Sequence, residues 1–366
     1  MKTRTNDRLT YSGAGIDTEK EISAVDKMAQ WLKRTFELRA NHRPVLGMDY
    51  FANVIDVGQN RGIALSTDGV GSKLLIAQRM RKYDTVGIDC VAMNVNDVIC
   101  VGAEPIAMLD YIAIQLEPNP DVFEQIAKGL FRGAEMANIS IAGGETSQLP
   151  DVIKGEPESY PFDLVGMCIG MVSLDKIVKG QNLQPGDVII GLRSSGIHSN
   201  GLSLARNVFF KHKRYDVDTY LPECRRTLGE ELLEPTRIYV REVVDLLRSG
   251  VDVRALINIT SDGLLNLARV HRDVGFVIHK LPEPHPVFSL IESCGNVSKE
   301  EMYRVYNMGV GFCVIVPEAD VGNAVDVLGR HGADASTIGH VVDDTEKKVV
   351  LEPVRLVGKG NRFYNL

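Results

Sequence analysis

The chain of 366 residues is short of several features that would place it in a special class. Its six cysteines, Cys90, Cys100, Cys168, Cys224, Cys294 and Cys313, are scattered, with no Cys-x-x-Cys pair and no histidine at ligand spacing. That pattern excludes a zinc finger or a dithiol redox centre and predicts buried thiols in a reducing compartment. No apolar run approaches the ~18 residues of a membrane span, and the opening MKTRTNDRLT lacks the apolar core of a signal peptide, so a cytoplasmic protein is expected. Lys and Arg number 41 against 48 Asp and Glu, and the net charge of -7 leaves no basic excess for nucleic acid or an anionic membrane. Anionic substrates would then need local cations or a metal. The phosphate signatures G-x-x-x-x-G-K-[ST] and G-x-G-x-x-G are both missing, so a bound nucleotide would be held in another way.

What remains is an ordinary globular composition, 44% hydrophobic and 24% charged. The length predicts two domains, and the polar segment around Pro185-Gly186 puts their boundary near residue 176, giving units 1–175 and 176–366. The first opens with a glycine turn, Tyr11 to Asp17, before a helical pattern over 20–39 in which Ile22, Val25, Met28, Ala29 and Leu32 share a face. Short strands follow over 51–57 and 62–66. The stretch Ser66 to Lys73, STDGVGSK, then joins a strand end to a helix start, bringing a carboxylate, free backbone N–H groups and a lysine together as a cradle for magnesium-bound phosphate.

From Thr85 to Gly102 an apolar stripe at helical spacing leaves Asp97 on the far face beside Cys90, Met93 and Asn94, a second surface expected to be covered by a ligand or partner. The strand over 106–115 is apolar on both alternate faces and should be buried on two sides, with Asp110 satisfied by backbone N–H groups. A helix capped by Asp121 leads to a strand ending in Gly143-Gly144-Glu145-Thr146, then a long loop and a strand over 162–173. In the second half, the loop Ser194 to Gly201 places His198 between a strand and a helix. Further helices are expected over 202–210, 235–248, 263–270 and 318–330, and strands over 187–192, 275–279, 311–316 and 336–341.

Asp68, Asp97, Glu145 and Asp262 thus stand beside glycines at element ends or on a second helix face. Dispersed hard-oxygen ligands of this kind fit magnesium bridging carboxylates to nucleotide phosphates, although Asp-Gly is also a common turn. Lys73 could neutralise a phosphate or be a solvated first-turn lysine. With no Cys and no G-x-S-x-G elbow nearby, His198 does not read as a hydrolase base.

In this order, Tyr11-Ser-Gly-Ala-Gly-Ile-Asp17, Asp68-Gly-Val-Gly-Ser-Lys73, Ala92-Met-Asn-Val-Asn-Asp97, Gly143-Gly-Glu-Thr146, Ser194-Ser-Gly-Ile-His-Ser-Asn-Gly201 and Tyr306-Asn-Met-Gly-Val-Gly311 resemble the phosphoribosylformylglycinamidine cyclo-ligases, or aminoimidazole ribonucleotide synthetases. The resemblance implies an α/β (α+β) two-domain synthetase fold, with N-terminal domains pairing into a barrel-like homodimer centre and a layered α/β C-terminal domain. It implies ATP and Mg2+ as cofactors and ring closure of formylglycinamidine ribonucleotide. On it, Asp68, Asp97 and Glu145 would bind metal and nucleotide, with Asp262 as an extra ligand or a helix cap. Gly69, Gly71, Ser72, Lys73 and Gly144 would meet phosphates. Ser195, Gly196, His198, Ser199 and Asn200 would hold substrate, and His198, Asp97 and Lys73 would act in catalysis. Two departures stand out: Leu46 to Asn53 replaces a glycine-rich segment, and Asn258-Ile-Thr-Ser-Asp-Gly-Leu-Leu265 resembles the related thiamine-monophosphate kinases instead. Such a kinase, or a non-catalytic nucleotide-binding dimer, is the alternative.

Overall fold

A computed structural model of the chain describes residues 8–366, so most of the stretch read above for a leader lies outside them. Among the described residues no helix is long and apolar enough to cross a membrane. The first half is built on one sheet of five strands, β1 (Asn53–Gly58), β2 (Arg61–Gly69), β3 (Glu104–Ile114), β4 (Ser140–Gln148) and β5 (Phe162–Ser173), in the order β1-β2-β5-β3-β4. Four helices accompany it, α1 (Thr18–Leu32), α2 (Lys73–Met80), α3 (Val86–Ile99) and α4 (Pro120–Ala137). Only β3 and β4 run parallel, and α4 is the crossover that parallel neighbours require. Its cap is Asn119, whose Oδ1 accepts from the amides of Asp121 and Val122, because Pro120 occupies the first helical position and puts the cap two residues ahead of the expected Asp121.

Every residue of α3 except Asp97 is buried. One face crosses α4 so closely that a Cβ on Gly87 would lie 2.2 Å from the Leu130 nitrogen. The other lies on the chain's own sheet, where a Cβ on Gly166 of β5 would meet the Asn94 amide at 2.7 Å and the Cys90 sulfur at 3.2 Å. At Cys90 and Asn94 the second surface of this helix is therefore covered by β5, not by a ligand or partner. The opposite correction applies to β3. Its helix-facing residues are buried, but Ile106, Leu109 and Tyr111 stand open with Met167 and Met171 of β5, so within one chain the strand is buried on one side only. The apolar residues Ile22, Val25, Met28 and Leu32 of α1 are exposed as well.

The second half carries an eight-stranded sheet. Its members are β6 (Val188–Arg193), β9 (Ala255–Asn258), β10 (Gly275–Ile278), β11 (Val310–Val316), β12 (Ala335–Val342), β13 (Val349–Leu351), β14 (Leu356–Lys359) and β15 (Arg362–Asn365), while β7 (Tyr220–Leu221) and β8 (Arg226–Thr227) form a separate hairpin. The order is β15-β14-β13-β10-β12-β6-β11-β9, with only β10 and β13 parallel. Its helices are α5 (Leu202–Arg206), α6 (Leu228–Leu232), α7 (Val240–Arg248), α8 (Pro286–Gly295), α9 (Lys299–Val305) and α10 (Val321–Gly329). α7 starts five residues later than its apolar period suggests, because the amides of Thr236 and Tyr239 bond to Asp89 and Asn96 of α3 and hold Pro235 to Tyr239 out of the helix. The segment 263–269 is a 3-10 helix, and α8, α9 and the strands after β12 were not legible as elements in the sequence. All six cysteines are free; Cys90, Cys100, Cys168 and Cys313 are buried as expected, whereas Cys224 and Cys294 are half-buried.

Candidate active site

Asp68 ends β2 and Asp97 lies in the last turn of α3, and packing that helix across the strand ends brings the two carboxylates together. Asn94, one turn before Asp97, makes the join: its Oδ1 accepts from the Asp68 amide at 3.0 Å and its Nδ2 donates to the Asp68 carbonyl at 3.1 Å. From the second half, Asn258 at the end of β9 donates from Nδ2 to Asp97 Oδ1 at 2.9 Å. Burial pushes the Asp97 carboxyl up to about 7; the Asn258 bond opposes the shift and the nearby Asp68 charge adds to it. Asp68 is also raised, by burial, against the hydrogen bond its Oδ1 accepts from the Gly69 amide at 2.7 Å. The pair is a concentration of negative charge at the seam between the halves. Arg269, whose charge is also felt by Asp97, closes the 3-10 helix after β9 and lies 3.6 Å from Asp262 and 5.0 Å from the Phe51 ring centre.

Two carboxylates pushed toward the neutral form by burial, with no cation hydrogen-bonded to either among the described residues, match what a magnesium ion completed by nucleotide phosphates requires. They do not make a closed protein cage: among the described residues no three His, Cys, Asp or Glu side chains gather closely enough to hold a metal by themselves.

The other acids do not join this pair within one chain. Sheet register puts Asp68, Gly166, Asp110 and Gly144 in one row, facing α3, and Gly69, Val165, Tyr111 and Glu145 in the next, facing the open side. Glu145 is thus on the opposite face and three strand spacings away, about 14 Å. It lies inside β4, not at its end, and its Oε1 accepts from the Thr146 amide. Asp262 is turned to Arg269 instead. Asp110 packs against Gly144, where a Cβ would come 2.4 Å from its Oδ1, and with Gly144 and Glu145 it lines one end of an apolar cleft of about 1110 Å3 under α4. Its carboxyl is bonded only by its own amide and is raised by burial.

Lys73 is neither a phosphate ligand in this arrangement nor a solvated lysine. It is completely buried, donating to Asp89 Oδ1 at 2.8 Å and to the Glu234 carbonyl at 2.5 Å. The same Asp89 oxygen accepts from the amide and hydroxyl of Thr236 and from the Ser199 hydroxyl, so this lysine ties α2 and α3 to the second half. His198 is likewise interior. Its Nε2 accepts from the Ser195 amide at 3.2 Å, and burial followed by the Lys73 charge pushes its pKa down to about 3, which favours the neutral ring near pH 7. The Ser195 hydroxyl donates to the Pro235 carbonyl, and the Gly196 carbonyl accepts from Asn307. Only Asn200 of the loop keeps a side chain without a hydrogen bond among the described residues, half-buried and available to a ligand. Gly69 spends its amide on Asp68, which leaves Gly71, at φ 71, and Ser72 as the amides at the start of α2.

Asn94, Asn258, Arg269 and Asp89 were missed as participants. Asn94 was visible as a far-face neighbour of Asp97, Asn258 opens the stretch that departs from the cyclo-ligase pattern, and Asp89 ends the stretch Thr85-Val-Gly-Ile-Asp89 that shares in the resemblance; Arg269 carries no signal that distinguishes it from a surface charge.

Residues 51–172 match the family described as AIR synthase related protein, N-terminal domain, and residues 184–352 its C-terminal domain. A phosphoribosylformylglycinamidine cyclo-ligase of Methanobrevibacter smithii is 46% identical over 92% of this chain and 95% of its own length. The Methanocaldococcus jannaschii protein of that name is 45% identical over 98% of both. Among solved structures, AaThiL complexed with AMPPCP and TMP has a TM-score of 0.62 at 16% identity, covering 93% of this chain and 96% of that one, a likeness of fold.

Proposed function

The chain belongs to the AIR synthase related family, alongside the phosphoribosylformylglycinamidine cyclo-ligases, and from that premise we propose that Asp68 and Asp97 hold the magnesium of MgATP at the seam of its two halves. It is an ATP-dependent ligase of purine biosynthesis that closes the ring of formylglycinamidine ribonucleotide to aminoimidazole ribonucleotide, releasing ADP and phosphate. The observation that carries the site is the Asp68 and Asp97 pair, raised by burial and bridged to the second half through Asn258.

In the reaction, the bond between the γ-phosphorus and the β,γ-bridging oxygen breaks as one forms to the formamide oxygen. The amidine nitrogen then attacks the formamide carbon and gives up a proton, and the oxygen departs with phosphate. A bound magnesium supplies charge neutralisation on the phosphates. The protein's part is positioning. Asp68 and Asp97 orient the triphosphate, Asn94 and Asn258 fix those carboxylates, the amides of Gly71 and Ser72 face the phosphates, and Asn200 reaches substrate. The decisive experiment is a direct assay. ATP-dependent formation of aminoimidazole ribonucleotide, read colorimetrically, should proceed while thiamine monophosphate is not phosphorylated. Tight ATP binding with no aminoimidazole ribonucleotide would overturn the reading, and phosphorylation of thiamine monophosphate would favour the kinase.

The reading includes a homodimer whose contact is the open sheet face. Ile106, Leu109, Tyr111, Met167 and Met171 are each between 36% and 44% exposed and contiguous across β3 and β5, an apolar patch of the kind that marks an interface, and β4 has an unpaired edge beside it. Glu145 stands on that face. Leu109→Glu with Met167→Glu is expected to convert the dimer to monomer in sedimentation equilibrium; a double variant that sediments as the wild-type dimer places the interface elsewhere. We assign nucleotide binding and dimerisation to residues 1–175 and the α/β unit to 176–366. Six unpaired cysteines favour a cytoplasmic location.

A further inference from the structure

The turn after β9 is built as a rigid mount. Asn266 accepts from the Thr260 amide and donates to the Ser261 carbonyl, pinning the loop at both sides of Asp262. Gly263, at φ 55, is pressed so tightly onto α9 that a Cβ would lie 2.1 Å from the Tyr303 carbonyl oxygen. Asp262 itself holds the left-handed conformation, φ 76. The 3-10 helix that follows is short enough to bring Arg269, its last residue, back to Asp262. There the guanidinium rests against Phe51 and is half-buried, yet it makes no hydrogen bond among the described residues, and its one charged contact, to Asp262, is 3.6 Å long. Five planar N–H donors that make no hydrogen bond among the described residues, on a cation whose charge is felt at Asp97, form a fork shaped for a phosphate. Nothing in this arrangement turns Asp262 toward Asp68 and Asp97.

We propose that Arg269 contacts a phosphate of the nucleotide triphosphate and that Asp262 is its positioning residue, not a ligand of the metal. The proposal rests on the reading of Asp68 and Asp97 as the MgATP site. It also gives the Ser-Asp-Gly-Leu departure a role: Asp262 is used here to aim an arginine.

The test compares Arg269→Ala, Arg269→Lys, Asp262→Asn and the double variant Asp262→Asn with Arg269→Ala, each checked for a wild-type circular dichroism spectrum. Removing the guanidinium should lower kcat/KM for ATP by about 100-fold, and lysine should restore only part of it, since a point charge lacks the fork. Asp262→Asn should cost about tenfold with an unchanged magnesium half-saturation, and the double variant should be no worse than Arg269→Ala alone. Calorimetric titration of a non-hydrolysable ATP analogue, with and without magnesium, reads the same contrast without turnover. The Arg269 assignment is therefore decided separately from the cyclisation reading. A magnesium requirement raised by Asp262→Asn, additive losses in the double variant, or analogue affinity unchanged in Arg269→Ala would each overturn the proposal.

Discussion

Exchange of Asp68 for asparagine should reduce ATP-dependent ring closure by about 1000-fold while leaving the fold in place. The expectation follows from what the side chain does and does not hold. Its only hydrogen bond from the protein comes from the adjacent Gly69 amide, and an asparagine Oδ1 can accept that bond equally well. The strand pairing of Asp68 with Gly166 and the amide clasp from Asn94 are backbone interactions and are unaffected. What is lost is one of two negative charges facing the triphosphate, and removal of a single preorganised electrostatic group from a transferring centre typically costs two to three orders of magnitude in kcat. Steady-state turnover over a magnesium series reads it. Near wild-type turnover at saturating magnesium would remove Asp68 from the metal site. The paired change Asp97→Asn should be as damaging, but there the Asn258 amide would face either an oxygen or another amide, so some loss of docking between the halves is expected as well.

The largest stability effect should come from Lys73→Ala. The ammonium is wholly buried and its removal leaves the equally buried Asp89 without its countercharge, a situation that costs about 3–5 kcal/mol in proteins. The loss should appear as a lowered urea midpoint. Because the pair joins α2 and α3 to Glu234 and Thr236, the two halves should also loosen from each other, which native-state hydrogen exchange at the Thr236 and Tyr239 amides would register. Replacement of both partners by apolar residues, Lys73→Met with Asp89→Leu, should recover only part of the loss, since the Thr236 amide would then lack an acceptor. Were Lys73 a phosphate ligand, its removal would raise KM for ATP at unchanged stability; that result, with a shift in the urea midpoint worth under about 1 kcal/mol, would refute the buried-tie account.

Local pattern was enough to locate much of this architecture. The 3.6-residue period of α3, the glycines after Asp68, the strands over 53–69, 104–114 and 162–173 and the crossover helix α4 are all short-range signals, and they were legible because helix and strand periods are properties of neighbouring residues. The second half was less so: α8 follows directly on a proline cluster, α9 is seven residues long, and the final strands are three to four residues each, too brief for a period to show. The four acids were found as candidates, but which of them act together was not visible.

The identities of the chemistry-bearing residues, and the family they point to, were determined by the sequence by itself, since they rest on residue types in order along the chain. Which of those residues meet was decided by tertiary structure alone. A strand's register sets the face on which each side chain stands, and one residue's difference puts Glu145 across the sheet from Asp68. Burial decides whether a charge meets a ligand or another charge, and it turned Lys73 and His198 inward while leaving Asp68 and Asp97 without a cation hydrogen-bonded to either among the described residues. A contact between distant segments such as Asn258 to Asp97 arises only when β9 docks at the end of α3, because no short-range pattern encodes which surfaces of two separately built sheets come to face one another.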